Sequence, residues 1–308
     1  MRLRTKIMAL PMIVSCFLLV IGMMVSKRLQ VIKASVTEIT DSLAVEANEI
    51  SSIHQSIIES DVIIQKYLSE EDVSLLQEFG EITTSFEKTL KRIRRRMVNP
   101  ERVTHLDLVE KLYLYYSSTF TDVVVSQTQT TRELERSMLD HNGPRVRKAL
   151  TDIISTAFED EDMVSTHAAS EMLGHFLIAR IYSHKYRAHL RPADAERVRL
   201  ELLASEVYHL EMTESLSDPR RRRWAQSAWR GLQDYSVKFE SIARSLQARQ
   251  QAIVEIIDPH EKRIFNLSSQ LEDSVWADLH LHADEVKRIV SLTEATVVWI
   301  TVVAVGLG

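Results

Sequence analysis

The stretch from Val36 to Ile64, VTEITDSLAVEANEISSIHQSIIESDVII, decides the fold of this chain. Its apolar side chains recur every three or four residues, a spacing that places them on one face of an α-helix. The positions of this stripe are Val36, Ile39, Leu43, Ala47, Ile50, Ile53, Ile57 and Val62. Polar residues fill the intervening positions. The pattern is typical of the seam of an antiparallel helical bundle or coiled coil.

The composition and a second seam favour long helices throughout. Gly and Pro, the two residues that break helices, number only seven and six in 308 residues. The second seam runs through Ile264, Leu267, Leu271, Val275, Leu279 and Val286. No stretch shows the sustained period-two alternation of a β-strand. The sequence therefore predicts an all-α protein.

Helix breaks are predicted where a proline follows turn-forming residues, because proline is tolerated in the first turn of a helix. These places are Asn99-Pro100, His141 to Pro144, Arg191-Pro192, Asp218-Pro219 and Asp258-Pro259. A further break is predicted at the acidic segment from Ser69 to Asp72.

Uncharged apolar runs lie at both ends of the chain. Residues 7–25 are long enough to cross a membrane as a helix, and the basic residues before them predict that residues 1–6 are cytoplasmic. A cleaved signal peptide is the alternative. Residues 295–308 are shorter and predict the start of a truncated second membrane helix, with a buried C-terminal helix as the alternative. Residues 26–294 are then periplasmic, anchored in a bacterial inner membrane.

Several function classes find no support in the sequence. A net charge of −5 does not suggest a nucleic-acid partner, and the single cysteine, Cys16, allows neither an internal disulfide nor a Cys-based zinc site. No metal-binding histidine motif, nucleophile elbow or phosphate-binding glycine loop is present. We therefore predict no enzyme activity, metal or cofactor for this stretch of chain.

An internal repeat is suggested by residues that recur at an offset of 119 positions. The matching places are Lys66-Tyr67 and Lys185-Tyr186, Pro100 and Pro219, Tyr116 and Tyr235, and Phe120 and Phe239. A duplicated helical module is one interpretation, and chance coincidence is the other.

A longer stretch resembles a known family. Asn142 to Leu150, then Ala168 to Ser170, then Ala179-Arg180-Ile181-Tyr182 and Tyr186 are similar to the helical bimodular sensor domain of bacterial chemoreceptors (methyl-accepting chemotaxis proteins) and sensor histidine kinases. The similarity covers residues 27–293. It implies two stacked antiparallel four-helix bundles of long helices between two transmembrane helices, with the modules divided near residue 144.

The resemblance also implies partners. Members of this family often bind organic acids between their helices, and a neighbouring family of the same architecture docks a periplasmic binding protein. A homodimer is expected as well. The chemoreceptors hold carboxylates with arginines on the first long helix, whereas residues 59–67 of this chain, ESDVIIQKY, contain none.

The candidate ligand site centres on Arg180, His184 and Arg187, which fall on one helix face and offer several donors to an anion. Tyr182 and Tyr186 lie beside them in the sequence. A solvated basic face with tyrosines in the core is the alternative. Two further tyrosines, Tyr116 and Tyr235, occupy equivalent places in the repeat and complete the candidate set.

The leading hypothesis is a receptor region that detects a small molecule, with an organic acid favoured, and passes a helix displacement across the membrane. One alternative is the input domain of a sensor histidine kinase that recognises a periplasmic binding protein. Another is a structural, membrane-tethered helical protein without a ligand.

Overall fold

The computed structural model describes the backbone of residues 2–306 and the side chains of residues 19–37, 39, 42–299 and 302. The α-helices are α1 (Arg2–Glu38), α2 (Ala44–Glu70), α3 (Ser74–Arg96), α4 (Pro100–Ser118), α5 (Ser126–Ser137), α6 (Gly143–Glu159), α7 (Met163–His189), α8 (Pro192–Ser215), α9 (Pro219–Ala252) and α10 (Asp258–Gly306). Within residues 2–306 there is no β-strand, so the all-α prediction is confirmed.

Four π-helical turns join consecutive helices without a break. They are Ile39–Leu43 between α1 and α2, Thr119–Val125 between α4 and α5, Met138–Asn142 between α5 and α6, and Ile253–Ile257 between α9 and α10. Two predicted breaks are therefore wrong, because Pro144 and Pro259 follow π-helical turns in continuous helix. A proline has no N–H and crowds the carbonyl of the preceding turn, and the wider π turn leaves room for this.

The remaining predicted breaks are present and have local causes. Glu71 ends α2 in the left-handed conformation, with φ 51° and its N–H donating to the Tyr67 carbonyl over 2.8 Å. Asp218 precedes α9, where its Oδ1 accepts from the Arg220 N–H over 2.7 Å. The break between α6 and α7, at Asp160 to Asp162, was not predicted, since no proline marks it.

The chain forms two compact units. Unit 1 comprises residues 1–114 and 261–308, and unit 2 comprises residues 115–260. Unit 2 therefore lies within the sequence of unit 1, whereas the resemblance implies a single division near residue 144.

Unit 1 brings together α2, α3, α4 and α10. The Tyr113 hydroxyl of α4 lies 2.7 Å from Ser60 Oγ on α2, and its ring stacks on Phe86 of α3 with centroids 3.7 Å apart. His54 Nδ1 on α2 lies 3.0 Å from Ser268 Oγ on α10. Burial of Tyr113 raises the pKa of its phenol.

The first apolar stripe packs into unit 1 as far as Ile57, after which the buried positions differ from the predicted ones. Its buried members are Leu43, Ala47, Ile50, Ile53 and Ile57. Val36 and Val62 are exposed, and burial continues through Ser60, Ile64 and Tyr67. These three positions keep the helical spacing after Ile57, whereas Val62 lies about half a turn away from it.

Unit 2 is built on α6, α7, α8 and α9, which share one hydrophobic core. Phe176 of α7 meets Tyr235 of α9 edge-on at 5.2 Å. Helices α6 and α9 approach closely at Gly231, where a β-carbon would lie 2.7 Å from Val146 Cγ2. Glycine is required here for space, because a larger side chain would displace a buried valine.

The repeat suggested by the sequence appears in the helix boundaries. Equivalent ends lie 119 positions apart: Glu70 and His189 end α2 and α7, Arg96 and Ser215 end α3 and α8, and Pro100 and Pro219 begin α4 and α9. Tyr116 and Tyr235 are both buried, as are Phe120 and Phe239. Residues 66–120 and 185–239 therefore share these helix boundaries and buried aromatic positions.

A buried arginine marks the same place in each repeat. Arg102, near the start of α4, forms an ion pair with Asp278 of α10 in unit 1. Arg221, near the start of α9, forms an ion pair with Asp160 at the end of α6 in unit 2. Glu46 also lies 3.5 Å from Arg102, and burial raises the pKa of this carboxyl. Each guanidinium is buried and therefore depends on its carboxylate partners.

The two apolar end segments lie partly outside the described residues. Side chains of residues 7–18 are not described, nor are those of 300, 301 and 303–308. Among the residues that are described, no helix is long and apolar enough to cross a membrane.

Candidate functional site

The predicted basic residues share one face of α7, as their spacing requires. Arg180 is half-buried and lies beside the start of α6, with its Cζ 3.4 Å from where a β-carbon on Gly143 would stand. Arg187 forms an ion pair with Glu135 of α5. His184 lies between the two arginines and is exposed, with Nδ1 3.5 Å from Arg187 Nη1.

The charges of Arg180 and Arg187 both act on His184 and Tyr235. The pKa of His184 is lowered, first by partial desolvation of its ring and then by the charges of Arg187 and Arg180. Burial raises the pKa of Tyr235, while a hydrogen bond with Ser183 and the two arginine charges oppose that rise. The three α7 residues and the Tyr235 phenol therefore form one electropositive cluster between α7, α9 and the α5–α6 segment.

Arg180 differs from its neighbour in its partners. Glu135 neutralises Arg187, but among the described residues no carboxylate forms an ion pair with Arg180. The nearest ring is Phe176, whose centroid lies 6.0 Å from Arg180 Cζ. A half-buried guanidinium without a carboxylate is the kind of group that binds an anion from solution, because burial has removed part of its hydration.

The tyrosines of the candidate set occupy two other environments. Tyr182 lies on the opposite side of α7, where Lys185 Nζ is 4.6 Å and Arg197 Cζ 5.8 Å from its ring centroid. Tyr186 is buried and meets Phe239 at 5.9 Å.

The two repeat-related tyrosines are both core residues. Tyr116 and Tyr235 are 1% exposed. Of the predicted tyrosines, Tyr235 is the one that the structure associates with the charges of Arg180 and Arg187. Tyr182 and Arg180 are two residues apart, a separation that points side chains away from each other on a helix.

The equivalent face of unit 1 has the opposite character. Positions 119 residues before Arg180 and His184 are Asp61 and Gln65, and Gln65 donates to the Asp61 carboxylate over 3.4 Å. This face has no guanidinium to offer an anion. Any anion site of the α7 type is therefore particular to unit 2.

A second basic surface in unit 2 was missed by the sequence reasoning. Arg145 of α6 and Arg223 and Arg230 of α9 line an open depression of about 420 Å³. All three are exposed, so water and salt screen their charges more strongly than that of Arg180. In the sequence, the run Arg220 to Arg223 indicated basic character here, but its side chains point to different faces of α9.

The comparisons leave the family open: no protein-family model and no curated protein matches this chain. The resemblance to helical bimodular sensor domains thus stays a prediction.

Proposed function

We propose that this chain is the extracytoplasmic sensing region of a bacterial transmembrane receptor, of the chemoreceptor type, and that it detects a small organic acid. The observation that carries the proposal is the half-buried Arg180, for which the described residues supply no carboxylate. A carboxylate from solution would supply the ion-pair partner that Arg180 lacks among the described residues. Arginine suits this role because its fork of donors binds carboxylates in a bidentate manner.

The bound acid lies against α7, between its basic face and the start of α6. His184 adds a donor that becomes a cation once the anion offsets the neighbouring arginine charges. Arg187 forms an ion pair with Glu135, so it adds positive electrostatic potential to the site but does not offer an unpaired guanidinium. The acidic counterpart of this face, at Asp61, makes unit 2 the binding unit.

Binding at Arg180 has a direct route to the long helix that leaves unit 2. Arg180 lies beside Gly143, with its Cζ 3.4 Å from where a β-carbon on Gly143 would stand, and Gly143 follows the π-helical turn Met138–Asn142. Asn142 Nδ2 donates to the Asp234 carboxylate of α9 over 2.6 Å, and Lys238 Nζ of α9 donates to Ser137 Oγ over 2.8 Å. These bonds tie both sides of the turn to α9, which continues into α10.

A π-helical turn is a reasonable site for such a response. Its extra residue interrupts the regular hydrogen-bond pattern, and turns of this kind are frequent at functional sites. A ligand that pulls α7 toward the start of α6 shifts this turn, and α9 follows through its bonds to Asn142 and Ser137. The output is a small helix displacement of the kind used in transmembrane signalling.

The membrane arrangement belongs to the same proposal. Residues 7–25 form one transmembrane helix and residues 295–308 belong to the start of a second, while residues 1–6 are cytoplasmic and residues 26–294 are periplasmic. The two units are stacked four-helix bundles in a homodimer. Support comes from the two compact units, their matching helix boundaries and the uncharged runs at both ends of the sequence.

The test is a thermal-unfolding screen of the full chain in detergent, followed by tryptophan fluorescence. Probes are succinate, malate, citrate, acetate and benzoate at equal ionic strength. An acid present at 100 times its Kd stabilises the folded state by about 2.7 kcal/mol, which raises the midpoint by several degrees. Arg180→Ala is expected to abolish the shift.

The matched control is Arg145→Ala, which removes an exposed guanidinium from the same unit. It should retain the full shift. Equal loss in the two variants would indicate a general charge effect and would contradict a site at Arg180. A folded protein that responds to none of the acids would also contradict the proposal.

A further inference from the structure

An apolar stripe lies on the outer surface of α8. Leu200, Leu203, Val207 and Leu210 are each between 50% and 61% exposed. They are spaced three, four and three residues apart, so they form one continuous line along the helix. This is the spacing of a coiled-coil seam, yet in this chain it faces solvent.

The stripe is not a displaced part of the core. The opposite side of α8 is already packed, with Val198, Leu202, Ser205 and Met212 buried. Rotating α8 to bury the stripe would expose those residues. Four large exposed side chains at this spacing present roughly a few hundred Å² of apolar surface, comparable to the largest patch on a typical soluble monomer, and such patches are often functional.

A groove runs beside the stripe, between α8 and α9. It has a volume of about 420 Å³, and its lining includes Leu203, Trp229 and Val237. Val237 is 65% exposed and continues the apolar surface onto α9. Trp229, at the floor of the groove, is half-buried, and its ring stacks on that of His209 of α8 with centroids 4.6 Å apart. This stacking holds the indole in place. A neighbouring helix on the stripe can insert a side chain here.

The charges beside the stripe specify the partner. Glu206, Glu211 and Glu214 are exposed, and none of them forms an ion pair with a residue that the structure describes. Arg199, by contrast, is bound to Glu240 with 2.7 Å between Nε and Oε1. The unpaired charge along this half of α8 is therefore negative.

A second copy of the chain does not satisfy this pattern when its α8 runs parallel. In a parallel coiled coil the positions of Glu206 and Glu211 face each other across the seam. Like charges there oppose association. A helix with lysine or arginine at those flanking positions instead gains ion pairs on both sides of the apolar contact.

We propose that the α8–α9 surface docks an amphipathic helix of another protein, apolar at three- and four-residue spacing and flanked by basic residues. The surface lies on α8, whereas the acid site lies on the α7 face toward α5 and α6. The docking proposal therefore stands independently of the proposed ligand.

The test uses two synthetic 21-residue helical peptides with leucine at the seam positions. One carries lysine at both flanking positions, and the other carries glutamate there. Binding to the full chain in detergent is measured by fluorescence anisotropy, and the change between variants removes the contribution of peptide binding to micelles. The wild type should bind the lysine peptide at least tenfold more tightly than the glutamate peptide.

Leu203→Glu and Val207→Glu should each weaken binding of the lysine peptide by tenfold or more. The matched control is Leu281→Glu on α10, the same kind of change at a residue that is 68% exposed in unit 1. It should bind like wild type. Circular dichroism and the thermal midpoint establish that each variant is folded.

Three results would overturn the proposal. The first is equal peptide affinity of wild type and Leu203→Glu, and the second is no binding of the lysine peptide to wild type. The third is a change of oligomeric state in Leu203→Glu without peptide, measured by sedimentation velocity, since this would assign the stripe to a second copy of the chain.

Discussion

Replacing Gly231 with alanine is expected to destabilise unit 2, although alanine is the better helix former. The added β-carbon would stand 2.7 Å from Val146 Cγ2, well inside van der Waals contact. Val146 is fully buried in the shared core, so it has no space into which to retreat. Overpacking of this kind costs about 1–3 kcal/mol, against about 1 kcal/mol gained from helix propensity. We expect a net loss of up to about 2 kcal/mol.

The matched control is Gly174→Ala in α7 of the same unit. A β-carbon at Gly174 meets nothing within 4 Å, so only the propensity gain of about 0.8–1 kcal/mol remains. Urea unfolding followed by circular dichroism gives both changes in free energy. The two variants should move in opposite directions.

A double variant then tests the cause. Val146→Ala removes the methyl group that the new β-carbon meets, so Gly231→Ala should cost less in that background than in wild type. The two substitutions should therefore be less than additive in a double-mutant cycle. If Gly231→Ala proves as stabilising as Gly174→Ala, the close approach of α6 and α9 is not a constraint and the reasoning fails.

Other predictions concern the buried pairs and the basic face. Arg221→Ala should lower the free energy of unfolding by about 2 kcal/mol or more. Asp160→Asn should lower it by less, because other carboxylates remain near the arginine. Urea unfolding measures both variants, and a larger loss in Asp160→Asn would contradict this ranking. Tyr113→Phe should cost about 1 kcal/mol by removing the hydrogen bond to Ser60, and an unchanged urea midpoint would refute it. The pKa of His184 is lowered, so its contribution to stability is present above its unfolded pKa and is lost as pH falls through the folded value. An acid bound as we propose would raise that pKa, so acid affinity should increase from pH 8 to pH 5.5 in wild type and stay flat in His184→Gln; titration calorimetry at each pH is the check.

The seam residues were predictable because helical periodicity is a local property of the sequence. Ile50, Ile53 and Ile57 are buried as their spacing requires, and Pro100 and Pro219 begin helices. The π-helical turns were not predictable. Each depends on how a helix packs along its neighbours, which no single stretch of sequence records.

The candidate site was predictable in part for the same reason. Arg180, His184 and Arg187 share a face because they are four and three residues apart on one helix. The contact between Arg187 and Glu135, however, joins residues from different helices, and sequence spacing does not reveal it. A run of four arginines likewise carries no periodicity, so only the start of α9 at Pro219 decides that Arg221 points inward.

The position of unit 2 within the sequence of unit 1 has a practical consequence for exchange between proteins. Unit 2 begins at Tyr115 and ends at His260, and the rings of these two residues lie 5.1 Å apart. Because the two ends of this segment are close together, the segment can be removed, or replaced by another segment whose ends are equally close, without stretching the rest of the chain. Recombination at these two points would exchange unit 2 and leave unit 1 as it was.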